Sequence, residues 1–174
     1  MARHAYPALD TLPAALAAEM KNRIGPGRGN VWQMLCWSPE TAGTFIAYSE
    51  TIRKPQDIAP KLLELMILRV GHLCGAPYEV HHHTRLARNA GLSDADLAAA
   101  ATGPDDAGLD TEQRLALTLV DELVNRKTLD QATFDRAVAA WGIRTVTDMV
   151  LLTGFYTMAS MFLNAFAVDI EPPA

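Results

Sequence analysis

The sequence predicts an all-α protein, a helical bundle built around a central antiparallel helix hairpin. Three observations carry that expectation. No run alternates apolar and polar residues over strand length, and apolar residues instead recur at helical spacing among strong helix formers. Pro, Gly, Ser and Asp punctuate the chain at helix-length intervals, where helix starts and stops need them. The 174 residues are 49% apolar, enough for a real core, with no repeat, low-complexity run or linker, so a single domain over residues 1–174 is expected.

The elements follow in order. Leu12 to about Arg23 reads as a first helix, stopped by Gly25-Pro26-Gly27. Val31 to Trp37 is a short helix ending before Pro39, and Pro39 to Ile52 is the next, with proline in its first turn. Pro60 to about Cys74 has proline at its start and Gly75 after its end. Pro77 opens another helix that runs to Ala90, with Gly91 as its C-terminal glycine. The short break at Gly75-Ala76-Pro77 folds these two into the antiparallel hairpin. Ser93 caps a helix with Asp96 three residues on, a variant of the capping box. After the loop from Gly103 to Gly108, Asp110 or Thr111 caps a helix reaching about Arg126. Asp130 caps one that ends at Gly142, and Arg144 to Val168 is the last.

The formal net charge is −5 and no dense Lys/Arg block is present, which argues against a nucleic-acid surface and leaves small molecules and protein partners. Cys36 and Cys74 each sit among apolar neighbours; two isolated cysteines fit a reducing compartment, and whether they have a redox role is open. The first residues lack the apolar stretch of a signal peptide, so a cytoplasmic location is expected. Met149 to Val168 carries no charged side chain and has the length of a membrane span. Its Thr153, Gly154, Thr157, Ser160 and Asn164, with Asp148 and Asp169 rather than Lys/Arg at its flanks, favour a soluble helix buried in the core or in a subunit interface. So apolar a helix in so small a chain points to a homo-oligomer.

The run ELMILRVGHLCGAPYEVHHH, Glu64 to His83, carries the chemistry. It sets Glu64, Glu79 and His83 among apolar residues, and apolar helix faces rarely accept ionisable groups that nothing pairs with or uses. At about 100° per residue, Glu79, His83, Leu86 and Ala90 share one stripe, while His81, Thr84, Arg85 and Arg88 lie opposite. His81 is therefore expected to point out, His82 to lie on the flank and His83 to face in, within reach of Glu79 at i,i+4. Glu64 shares its face with Leu68 and Gly71; Arg69 lies too far round to pair with it, so Glu64 needs a partner across the hairpin or a subunit boundary. A histidine beside two carboxylates supports proton transfer: one acid fixes the tautomer, and the other, in an apolar pocket, acts as an acid. A buried Glu–His–Glu network that merely orders the hairpin fits the spacing equally well.

The segments ELMILRV…YEVHHHTRLARNAGLSDADL and DMVLLTGFYTMASMFLNAFAVDI resemble the carboxymuconolactone decarboxylase family, within the alkyl hydroperoxidase D-like superfamily, over roughly residues 30 to 170. The resemblance implies an alkyl hydroperoxidase D-like helical bundle that assembles as trimers, hexamers or related rings. The superfamily's peroxidase branch carries Glu, Cys-x-x-Cys and His; aligned on Glu64 and His83, this sequence has Ala76 and Glu79 at the cysteine positions, and Cys74 is out of register. Dithiol peroxidase chemistry is thereby disfavoured. The decarboxylase branch implies a cofactor-independent carboxy-lyase or isomerase acting on a small carboxylate or lactone, with His83 and Glu79 as the proton-transfer pair and Glu64 orienting His83. It also implies Tyr78 and His82 as substrate contacts, with Val80 replacing a tryptophan common in this motif. No cofactor and no metal are expected. Glu79-x-x-His82 has the E-x-x-H form used in di-iron bundles, but no second copy exists in the chain. The alternatives to the lyase are an alkyl hydroperoxidase D-like antioxidant peroxidase and a non-catalytic oligomeric binding protein.

Overall fold

The computed structural model describes residues 1–25, 29–54 and 57–172. The expected helices are present: α1 (Ala14–Arg23), α2 (Asn30–Leu35), α3 (Pro39–Ile52), α4 (Pro60–Leu73), α5 (Pro77–Asn89), α6 (Asp94–Thr102), α7 (Thr111–Arg126) and α8 (Gln131–Phe166), with a short 3₁₀ turn at Leu9–Thr11. Pro26 and Gly27, part of the expected stop of α1, lie outside the described residues. The helices expected on either side of Gly142 are both present, and Gly142, with φ 77° and ψ 159°, kinks α8 between them. That backbone conformation favours glycine, which explains why a glycine stands mid-helix.

The chain divides into two compact units, Met1–Thr51 with Phe162–Ala174, and Ile52–Met161. In the first, α1 packs on α2, and Leu16, Met20, Leu35, Cys36, Ala42 and Ile46 form a buried cluster. The chain ends meet there as well: the Met1 ammonium lies 2.9 Å from Asp169, and the Asn30 N–H donates to Glu171 at 2.6 Å.

In the second unit, α4 is the central element, with α5, α6 and α7 packed against it. Ten consecutive residues of α4, Leu62 to Gly71, are buried, so over this stretch the helix is covered on every side and an ionisable group must find its partners inside the protein. Pro60 stands at its first position, where the missing N–H costs nothing. It ends in a Schellman motif: Gly75 adopts φ 57°, its N–H donates to His72 O and the Ala76 N–H to Gly71 O. The chain then turns straight into α5 at Pro77, giving the expected hairpin.

The caps of α6 and α7 are both capping boxes, Ser93 with Asp96 and Asp110 with Gln113, which resolves the choice between Asp110 and Thr111. The expected cap at Asp130 differs: its carboxylate takes both guanidinium nitrogens of Arg126 at 2.6 Å.

Candidate functional site

The hairpin places the three ionisable residues together. Glu64 is in the second turn of α4, Glu79 and His83 are one turn apart on α5, and the two helices approach closely at Gly71. A Cβ on Gly71 would stand 3.1 Å from Val80 Cγ2 and 3.4 Å from Glu79 Cβ. Glycine there lets α5 lie against the face of α4 that carries Glu64.

The resulting contacts are short and buried. His83 Nδ1–H donates to Glu64 Oε2 at 2.7 Å, and His83 Nε2 lies 3.4 Å from Glu79 Oε2. Relative exposure is 6% for Glu64, 8% for Glu79 and 5% for His83. With Nδ1 occupied by the Glu64 carboxylate, Nε2 is the nitrogen left to exchange a proton. The 3.4 Å separation from Glu79 is an ion-pair distance rather than a tight hydrogen bond, so both atoms keep capacity for a further partner. The three consecutive histidines separate as the helical angles predict: His81 is exposed, His82 half-buried and His83 buried.

The electrostatics distinguish the two acids. Burial pushes the Glu79 carboxyl above the usual range; His83 and Arg53 oppose this and the Glu64 charge adds to it. A carboxyl so placed keeps its proton at higher pH than a solvated one and is suited to give it away.

Two residues join this site that the sequence reading did not assign. The Tyr156 ring, from α8, stands edge-on to the His83 imidazole, centroids 5.1 Å apart and planes at 86°. Tyr156 is itself buried. Burial pushes its phenol well above the ordinary value, with Arg53 opposing and the Glu79 and Glu64 charges adding, so it remains a neutral O–H donor. Arg53, just past the end of α3, is exposed, yet its charge acts on both Glu79 and Tyr156. Neither residue carried a sequence signal: Tyr156 lies in a run that reads as uniformly apolar, and Arg53 reads as one more surface charge.

Tyr78 and His82, the expected substrate contacts, form a ring pair with centroids 4.4 Å apart. Tyr78 is buried and His82 half-buried. The i,i+4 stripe they define on α5 is offset from the Glu79–His83 stripe. Arg69, set aside as a partner for Glu64, is a buried structural ion: it grips Asp121 through Nε at 2.6 Å and Nη2 at 2.7 Å. It also donates to the Ala101 carbonyl at the end of α6 at 2.8 Å. Among the described residues, no group of three or more His, Cys, Asp or Glu side chains is arranged to hold a metal ion. Burial raises the Cys36 thiol, with a smaller contribution from Glu19. It also raises that of Cys74, against the opposing influence of Ser160, Lys127 and Thr157.

The chain is thus an all-α protein with a buried Glu–His–Glu group on the α4–α5 hairpin. The sequence model of the carboxymuconolactone decarboxylase family matches residues 39–122, a segment similar to that family. The match spans the hairpin and all three ionisable residues. No curated protein sequence matches the chain. Several solved structures share its fold. An uncharacterized peroxidase-related protein from Ralstonia eutropha JMP134, described as an alkylhydroperoxidase AhpD core, superposes with a TM-score of 0.83 at 18% identity, covering 98% of this chain and 92% of that one. A peroxidase-related protein from Silicibacter sp. TM1040 gives 0.80 at 18% identity, covering 97% and 91%. A variant of the debrominase Bmp8, in complex with 2,3,4-tribromopyrrole, gives 0.77 at 16% identity, covering 98% and 94%. At these identities the likeness is one of fold.

Proposed function

We propose that the protein is a cofactor-independent acid–base enzyme, a carboxymuconolactone decarboxylase-like lyase acting on a small carboxylate or lactone. The observation that carries this reading is the buried imidazole of His83, fixed at Nδ1 by Glu64 and facing the raised Glu79 carboxyl with Nε2. In the decarboxylation, the carbon–carboxylate bond breaks, CO₂ leaves, and the electron pair moves into the conjugated lactone carbonyl. The electron-rich carbon then takes a proton from Glu79 or from Nε2 of His83, and the site regains that proton from water. An isomerisation would use the same pair, one group removing a proton and the other returning it. Tyr78 and His82 remain candidates for contacts on the flank of the substrate.

The chemistry of the thiols favours this over a peroxidase reading. Ala76 and Glu79 stand where the dithiol of that branch would be, and both cysteine thiols are raised by burial, which leaves them largely protonated at neutral pH. The protein is further proposed to be cytoplasmic and to work as a homo-oligomer, a trimer or hexamer. α8 leaves Leu151, Met158 and Met161 exposed in the single chain, as a subunit contact would require.

The test is turnover of γ-lactone acids in deuterium oxide, followed by NMR for CO₂ loss and for deuterium at the protonated carbon. The wild type is expected to do both, and His83→Gln to lose at least about 100-fold in rate while keeping its helical content. Absence of exchange with every lactone acid tried, or full activity in His83→Gln, would remove the reading.

A further inference from the structure

We propose that a groove between α7 and the first part of α8 binds a phosphate monoester, with Arg114 and Arg136 holding the phosphoryl group and the organic body lying on the apolar wall beside them. The groove shares no residue with the acid–base group of the hairpin, and the inference does not depend on what that group does.

Both cations face one space. The groove, of about 470 Å³, is lined by Arg114, Leu115 and Thr118 from α7 and by Arg136, Ala139 and Ala140 from α8. That volume suits a small organic ligand. Thr111, the first residue of α7, lines it as well and adds a hydroxyl. No carboxylate is among the lining residues.

The two arginines keep their charge uncompensated. Arg114 is half-buried and fixed by the loop before α7. Its Nη1 donates to the Pro104 carbonyl, and its Nη2 to those of Asp106 at 2.8 Å and Leu109 at 3.4 Å. Carbonyls orient a guanidinium but carry no net charge, so the full positive charge remains, with Nε–H and one Nη1–H still to donate. Arg136 is exposed and donates from Nε to the Ala132 carbonyl of its own helix at 3.3 Å, which leaves its Nη protons for a ligand. Among the described residues, neither guanidinium meets a carboxylate. Of the acids that adjoin lining residues in sequence, Asp110 accepts from the Gln113 N–H at 2.8 Å and Asp135 from the Gln131 amide at 2.8 Å. Glu112 lies outside the lining.

The charge count indicates the ligand. In a chain of net charge −5, two unneutralised cations on one groove attract an anion locally. A carboxylate would neutralise only one of them. A phosphate monoester carries close to two negative charges at neutral pH and has three acceptor oxygens, and planar guanidinium donors suit those oxygens. Leu115, Ala139 and Ala140 present no polar side chain, which favours an organic body over free inorganic phosphate.

Calorimetric titration of the full-length protein with phenyl phosphate, benzoate and inorganic phosphate at neutral pH tests this. Phenyl phosphate is expected to bind at least about tenfold more tightly than either of the others. Arg136→Gln should lower its affinity about tenfold, and Arg136→Lys should lower it less. Ala139→Leu, which fills the groove and leaves both charges in place, should lower it at least about threefold. Arg85→Gln, which removes an exposed charge on α5 away from the groove, should change nothing. His83→Gln should also bind as the wild type does; loss of binding there would put the ligand at the hairpin and overturn the inference. So would no binding of phenyl phosphate by the wild type, equal affinity for benzoate or inorganic phosphate, or undiminished affinity in Arg136→Gln or Ala139→Leu.

Discussion

At the scale of single residues, Glu79 is where burial and chemistry conflict. It is a carboxyl held inside an apolar hairpin, with its partner nitrogen at 3.4 Å. Its affinity for the proton is raised in the folded state, chiefly by burial. Between the ordinary carboxyl range and that raised value the folded protein binds more protons than the unfolded chain, so stability falls as pH rises through the window. Stability from this group is complete below the ordinary carboxyl pKa and is lost above the raised one. Glu79→Gln keeps the shape and removes the titration. It should leave the melting temperature unchanged in acid and raise it at neutral pH, while abolishing turnover. Thermal melts across pH check the first part; a parallel pH dependence in wild type and variant would contradict it. Much of this site was legible from helical angles, because periodicity alone separates His81, His82 and His83. Tyr156 was not, because a tyrosine inside an uncharged run gives no sign of which way its hydroxyl points. Gly71 was legible only as sharing a face with Glu64; that its missing Cβ admits α5 depends on the distance between two helices, which no single-helix pattern contains.

At the scale of elements, helix ends were the most readable features, since proline and glycine act locally. The capping boxes show what remained hidden. Asp96 was expected as a partner for Ser93, and it accepts from both the Ser93 N–H and hydroxyl at 2.8 Å. It also accepts from Gln113 Nε2 at 2.8 Å and lies 3.1 Å from Lys61 Nζ. One carboxylate thus ties the N-terminal turns of α6 and α7 to that of α4, the helix bearing Glu64. Partial burial raises its pKa, but the Ser93, Gln113 and Lys61 hydrogen bonds outweigh this and hold it down at about 2. A depressed carboxyl contributes stability above its unfolded pKa and loses it as pH falls toward the folded value. Asp96→Asn should therefore cost about 1–2 kcal/mol at neutral pH, with the difference shrinking as pH drops below the ordinary carboxyl range. Denaturant unfolding at two pH values measures it, and a cost that grows in acid would refute the assignment. The sequence marks the local half of this node, but the bonds to Lys61 and Gln113 come from tertiary packing.

At the scale of the whole molecule, α8 decides what the surface is for. By length and composition alone it could cross a membrane, as could the core helix of a soluble protein. Its burial pattern is one-sided. Val146, Met149, Leu152, Phe155, Tyr156 and Ala159 are buried, while Leu151 and Met158 are each 45% exposed and Met161 is 64% exposed. Leu151, Gly154, Met158 and Met161 fall on one stripe at helical spacing. Gly154, Met158 and Met161 also line a shallow groove with Leu123 and Lys127. The inner face carries Tyr156 to His83, so a subunit contact on the outer face would steady the helix that completes the site. Covering the exposed half of each such side chain is worth about 1 kcal/mol, and a glutamate in its place would have to be desolvated at further cost. Leu151→Glu with Met158→Glu is therefore expected to convert an oligomeric wild type to monomer in sedimentation velocity, with the helical content of the chain retained. If the stripe were only a tolerated apolar surface, the wild type would already sediment as a monomer and the double variant would leave its sedimentation coefficient unchanged.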